Sequence, residues 1–348
     1  MRQCLFGLAL VVLAFSACAP ANARQEPVKD NVRLGTRVIE GAATPGYLWL
    51  RDDKGVVMEY DRATGNRRPL AASGVQDMSL NNDVLAALVP AQRPGAVLVT
   101  DLLSGAHLTA PLELTTPSRG VLLLSDNQTM VLSADELAIW KDGAWVIKSL
   151  LGRLTFAPQT DALAVGGRIY LGYNRGEWGG GLQAVDIETG RIDDIRRIDG
   201  ETCKGPLGAE CDPVTGLVSD RSSDCLLASV GLSHFLAHGR ILRVCGAKVE
   251  VVYSQAVPLP ADALGAGIST WPFFGLTSSA EGWSAVSAGK LFRGQWDGSV
   301  VSETLPELAP WSDLRVAFAG PDIILVRTDV NWGMSLSGFT PLLVSVSQ

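Results

Sequence analysis

Apolar positions along the chain come in short runs rich in Val, Leu, Ile and aromatic residues, broken every few positions by Gly, Pro, Asp and Asn. That spacing suits strands and is too short for helices. One pattern recurs: a strand-like run ends in Asp, Thr-Gly or another turn follows, and a second strand-like run begins. Its clearest copies are VVMEYDRATGN at 56–66, AVLVTDLLSGA at 96–106 and GLQAVDIETGR at 181–191. Weaker copies are ELAIWKDGAW at 136–145, RILRVCGAKVEVVY at 240–253, KLFRGQWDGSV at 290–300 and GMSLSGFTPLLVSV at 333–346. The Asp opens a tight turn and the Gly supplies a positive φ, so each copy predicts the outer hairpin of a small sheet.

Between equivalent turn positions (Asp61, Asp101, Asp142, Asp186, Gly246, Asp297 and Gly338) the steps are 40, 41, 44, 60, 51 and 41 residues. A repeat of about 40–50 residues that holds four strands is the signature of a β-propeller. The expected fold is therefore all-β, a seven-bladed β-propeller, with six or eight blades as the neighbouring counts. A loop insertion at about 199–224, rich in Gly, Pro, Asp and Ser, accounts for the long step.

The Asp-x-x-Thr-Gly turns resemble those of exported bacterial propellers of the YVTN, WD40-like and quinoprotein-like repeat types. Ala184-Val185-Asp186-Ile187-Glu188-Thr189-Gly190-Arg191 is similar to the quinoprotein repeat. That pattern ends in a Trp three residues beyond its basic position, where this chain has Asp194, and the adjacent cysteine pair of quinone-binding dehydrogenases is missing. The resemblance implies the fold and no cofactor.

The first 23 residues, MRQCLFGLALVVLAFSACAPANA, set one Arg before an apolar stretch from Leu5 to Ala17 and then small residues, the order of a bacterial export signal. The stretch is shorter than the ~20 residues that cross a bilayer as a helix. Two processing sites compete. Phe15-Ser16-Ala17-Cys18 resembles a lipobox, which would make Cys18 the lipidation candidate, while Ala21-Asn22-Ala23 fits ordinary cleavage. Residues 24–36 read as a polar tether and 37–348 as a single domain. The expected address is periplasmic or an outer-membrane lipoprotein.

Composition narrows the function classes. Of 348 residues, 47% are apolar, so a full core can be buried, and the net charge of −7 comes with no basic run to track phosphates. Nucleic acid is excluded as a partner. Four cysteines, Cys203, Cys211, Cys225 and Cys245, lie beyond the leader, an even number for an oxidising compartment. Their 7, 13 and 19 intervening residues do not make a zinc knuckle. Of the three pairings, Cys203–Cys211 with Cys225–Cys245 is preferred. No metal site is predicted, although calcium held by Asp and backbone oxygens is an alternative.

Of three histidines, His107 is expected to face solvent, and His234 and His238 lie four apart between strand-like runs. The fourth repeat carries a polar, Gly-rich loop with Asn174, Arg175, Glu177 and Trp178, and the last repeat holds Asn331 and Trp332 at the equivalent place. These eight, from Asn174 to Trp332 with His234 and His238, are the ligand-binding candidates; catalytic residues are unknown. The expected function is a monomeric binding or scaffold module of the cell envelope, meeting an envelope protein or a small polar ligand through its channel mouth and insertion. The rival is a propeller enzyme, a hydrolase, lyase or oxidoreductase, with a site built from Arg175, Glu177, His234 and His238.

Mass spectrometry of the mature N-terminus from the native host should find an acylated Cys18 or a free Arg24. A chain still beginning at Met1 would refute export.

Overall fold

The computed structural model describes residues 32–33 and 38–345, apart from 72, 116–119, 126–127, 156–158, 177–179, 196–211, 221–222, 234–236, 263–265, 306–313, 321–322 and 329–341. Strand β1 (Val32–Arg33) comes first in the chain. The first sheet then holds β2 (Val38–Ala43), β3 (Tyr47–Asp52), β4 (Val57–Asp61) and β5 (Arg67–Ala71). The second holds β6 (Asp77–Asn81), β7 (Val84–Pro90), β8 (Ala96–Asp101) and β9 (Leu112–Glu113). Strands β10 (Val121–Ser125), β11 (Gln128–Leu132), β12 (Glu136–Lys141) and β13 (Ala144–Ser149) form the third. The fourth is β14 (Gln159–Val165), β15 (Arg168–Asn174), β16 (Gly180–Asp186) and β17 (Ile192–Ile195). The fifth is β18 (Val214–Ser219), β19 (Leu226–Ser233), β20 (Ala237–Cys245) and β21 (Lys248–Tyr253). The sixth is β22 (Phe274–Ser278), β23 (Gly282–Ser287), β24 (Lys290–Gln295) and β25 (Val300–Thr304). The last sheet joins β26 (Leu314–Gly320), β27 (Ile323–Thr328) and β28 (Leu342–Ser345) to β1.

Among the described residues there are thus seven four-stranded antiparallel sheets, and the first strand of each neighbours the first strand of the next in a closed ring. The arrangement is a β-propeller. It is closed by β1, whose Val32 and Arg33 pair with Leu343 and Leu342. The 24–36 segment expected as a tether therefore contains the outermost strand of the closing sheet. A two-residue strand is too short to show an apolar alternation, so the polar sequence around it gave no sign of it.

Each of the seven contacts between neighbouring sheets has its own apolar cluster. Along β7, Leu85 and Ala87 pack toward Trp49 and Val57 of the first sheet, whereas Ala86 and Leu88 pack toward Leu122, Val131 and Ala138 of the third. Successive side chains of a strand point to opposite faces, and here both faces are covered, so middle strands read as continuous apolar runs.

The outer turns form as their chemistry dictates. Asp61 Oδ1 accepts from the N–H of Ala63 (2.9 Å) and Thr64 (3.0 Å), and Asp186 Oδ1 accepts from Thr189 N–H (2.8 Å) and Oγ1 (2.7 Å). Gly65, Gly105 and Gly190 follow at φ of 72, 73 and 73°. Asp142 and Gly143, both at positive φ, make the tighter two-residue version between Lys141 and Ala144. Gly338 lies outside the described residues.

The span expected as an insertion, about 199–224, contains β18, the innermost strand of the fifth sheet. Gly216 hides it. A Cβ there would stand 2.6 Å from the backbone nitrogen of Leu276, so the close approach of β18 to β22 selects a residue that weakens the strand signal.

Cys225 and Cys245 form a disulfide across β19 and β20. Cys203 and Cys211, the other expected pair, lie outside the described residues. With a sequence separation of 20, the bridge should contribute about 3 kcal/mol by restricting the unfolded chain. The double variant Cys225→Ser/Cys245→Ser is expected to lose that amount in urea unfolding; an unchanged midpoint would contradict it.

Candidate functional site

The antiparallel order fixes which connections share a face. Links from the outer strand of one sheet to the inner strand of the next, and turns from second to third strand, emerge together on what we term the upper face. The Asp-Gly outer turns emerge on the lower face. Asn174 at the end of β15 and Arg175 after it stand at the upper face. Glu177, Trp178, His234, Asn331 and Trp332 themselves lie outside the described residues.

The inner strands enclose a channel with a cavity of about 960 Å³. Among the described residues the charged lining residues are Glu40, Arg51, Asp53, Asp77 and Asp161, all in the upper half; Ala42, Leu80, Leu124, Ala164, Phe318 and Ala319 line the lower half.

Each acid is held in place by the ring. Glu40 and Asp161 directly follow register shifts, between Val38 and Glu40 and between Gln159 and Asp161. Such bulges re-aim the side chain that follows. Asp161 accepts from Leu217 N–H of the next sheet (2.8 Å) and from Ala162 N–H (2.8 Å). Asp77 accepts from Leu122 N–H of the third sheet (2.7 Å). Arg51 donates through Nε to Glu40 Oε2 (2.5 Å) and through Nη1 to the carbonyl of Val75 (3.3 Å), and its Nη2 stands 3.8 Å from Asp77 Oδ1.

Burial dominates the electrostatics. It pushes the Asp161 carboxyl up to about 6 against the pull of its two backbone N–H donors. Burial and the neighbouring Asp77 raise Glu40 to about 8, with Arg51 pulling the other way, and burial raises Asp77 to about 6. Sequence reading passed over these acids because Glu40, Asp77 and Asp161 resemble the polar positions of half-exposed strands. The available signal was an acid near the start of an inner-strand run in three repeats.

Of the sequence candidates described here, Asn174 lines the channel, and its Oδ1 accepts from Gly176 N–H (2.8 Å), which turns the chain. Arg175 beside it is exposed. His238 is in β20, a strand and not a loop, and faces Asp212 just ahead of β18. Its Nε2 is 2.9 Å from Asp212 Oδ1, to which Arg240 Nη2 donates (2.7 Å); the two nitrogens are 2.6 Å apart. Gly180, paired with Asn174, sits where a Cβ would stand 2.7 Å from Pro213 Cα and 3.2 Å from Asp212 O. The fourth-repeat hairpin and His238 are therefore neighbours across the Asp212-Pro213 segment. His107 is exposed on the lower face, with Nδ1 3.3 Å from Thr100 Oγ1. Among the described residues no group of three or more His, Cys, Asp or Glu could hold a metal ion.

Asp212 is fully buried and Arg240 nearly so. Removing one partner of a buried pair strands the other charge, so Asp212→Ala should cost about 3–5 kcal/mol in chemical unfolding. A loss below about 1 kcal/mol would show that the pair does not hold this rim.

No family model matches the chain, and no curated protein matches it. Solved structures do. YCF48 bound to D1 peptide is 10% identical, with a TM-score of 0.57 over 92% of this chain and 95% of that one. A β-propeller domain from Myceliophteria thermophila is 15% identical, with a TM-score of 0.52 over 92% and 100%. The extracellular domain of BT4673 from B. thetaiotaomicron is 12% identical, with a TM-score of 0.55 over 92% of this chain and 40% of that one. At these identities the likeness is one of fold: the chain is a β-propeller.

Proposed function

We propose that this protein is an exported binding module of the cell envelope that takes a polar ligand or a segment of a partner protein at the upper mouth of its channel. The carrying observation is the channel, a cavity of about 960 Å³ whose charged lining groups, among the described residues, gather in its upper half. Concave sites of this size with a few directed polar groups on an otherwise apolar wall suit recognition of one ligand end. The upper face adds the fourth-repeat hairpin and the Asp212, His238 and Arg240 cluster beside it. Export is supported by the leader-like first 23 residues and by the Cys225–Cys245 bridge. The YCF48 structure holds a bound peptide and the BT4673 domain is extracellular, which supports both parts of the reading.

A thermal-shift screen of short peptides, sugars and amino acids against the mature protein tests this. Ligands that raise Tm should lose most of that shift in Asp53→Asn and Arg175→Gln, and keep it in Asp297→Asn on the lower face. Shifts lost in Asp297→Asn and kept in the two upper-face variants would place binding elsewhere and overturn the reading.

A further inference from the structure

The direction of β1 fixes where the N-terminal segment leaves the ring. Val32 pairs with Leu343 and Arg33 with Leu342, antiparallel, and β28 in turn pairs antiparallel with β27, Leu342 facing Val326 and Ser345 facing Ile323. Strand β28 therefore runs from the upper face toward the lower and β1 runs back, so the chain ahead of Val32 heads for the lower face. Fourteen residues lead from Cys18, the lipidation candidate, to Val32, a span of at most about 50 Å. The first sheet stands next to this exit, packed on the seventh through Val38, Leu48, Leu50 and Ala319, with Tyr60 against the same cluster. We propose that the lower edge of the first sheet, with Tyr47, Arg67 and Arg68, meets the anionic headgroups of the membrane that holds an acylated Cys18, so that the upper mouth of the channel faces away from that membrane.

The chemistry of this edge suits a lipid surface. In a chain of net charge −7, the outer turn of the first sheet and the start of β5 carry three arginines, Arg62, Arg67 and Arg68. Arg67 is exposed and lies over the Tyr60 ring, 4.9 Å from its centroid, and Tyr47 is exposed at the lower start of β3. Arg62 Nη1 donates to the Thr44 carbonyl (3.0 Å), which joins the two lower turns of the sheet. The acids of the same edge are engaged by the fold: Glu59 accepts from Trp49 Nε1 (3.0 Å) and Arg68 Nε, and Asp61 accepts from the N–H of Ala63 and Thr64. A guanidinium fork matches phosphate oxygens, and a tyrosine, with an apolar ring and a polar tip, fits the boundary between headgroups and water. Each arginine held near an anionic surface favours that contact about fivefold. This inference rests on the export reading and gives it an orientation.

The test uses the mature protein isolated from its native host and placed in vesicles of phosphatidylcholine, with or without phosphatidylglycerol. A fluorophore on Ala63→Cys, in the lower turn of the first sheet, or on Lys54→Cys, in the upper turn of the same sheet, is quenched by nitroxides carried on the headgroups. The parent protein taken through the same labelling sets the background. With phosphatidylglycerol present, quenching should be about fivefold or more stronger at Ala63→Cys than at Lys54→Cys. Arg67→Gln/Arg68→Gln should bring that ratio down to its value in phosphatidylcholine alone. So should about 1 M salt acting on the unsubstituted arginines, where screening reaches within about 3 Å. Equal quenching at the two positions, stronger quenching at Lys54→Cys, or a ratio moved neither by the double substitution nor by salt would overturn the proposal. A mature chain that begins at Arg24 without an acyl group would also overturn it, and would leave export intact. Ligand binding at the upper mouth is read separately by Tm shifts, so either reading can fail alone.

Discussion

Everything in this molecule depends on the requirement that every sheet bury both of its faces. A four-stranded sheet with two apolar faces is insoluble alone, and stacking seven of them around an axis satisfies all faces only if the last meets the first. The cluster of Val38, Leu48, Leu50 and Ala319 is that meeting, and β1 pairing with β28 binds the two ends of the chain at the same place. Closure also removes the open stack end that would otherwise invite association. Apolar contact between sheets is non-directional, so it sets the ring but not the relative height of its members.

Directional bonds at the inner strands supply the height. Asp77 to Leu122, Asp161 to Leu217, and Thr215 Oγ1 donating to the Phe273 carbonyl at 2.6 Å each cross from one sheet to the next. A polar group buried without a partner is costly, so these contacts penalise a slip of one sheet against its neighbour. The same side chains give the channel its acidic end. Structural latch and channel lining are thus one set of residues.

The fifth sheet is reinforced by polar contacts and a covalent bridge. It carries the disulfide, the Asp212, His238 and Arg240 cluster, and the pair in which Arg243 Nε donates to the fully buried Asp220 at 2.8 Å. It also contains Gly216, Gly231 and Gly239, each within 3 Å of neighbouring backbone where a side chain would begin. Glycines allow the sixth sheet to approach closely but weaken the strands that hold them. Bridges and ion pairs offset that weakness.

The repeating unit and its outer turns were written in the sequence because their causes are local. Asp61, Asp101 and Asp186 bond to atoms within three residues, and the glycine that follows needs only its own φ. The Cys225 and Cys245 pairing was legible for a related reason: the two face each other across one hairpin. The identity of the channel residues was decided by tertiary structure alone. Glu40 and Asp161 become half-buried, channel-lining acids only when seven inner strands converge, and the bonds that orient Asp77 and Asp161 span 45 and 56 residues. Strand β1 meets its partner at the opposite end of the chain. Such features depend on ring closure, and no window of sequence contains both halves of a contact that closure creates.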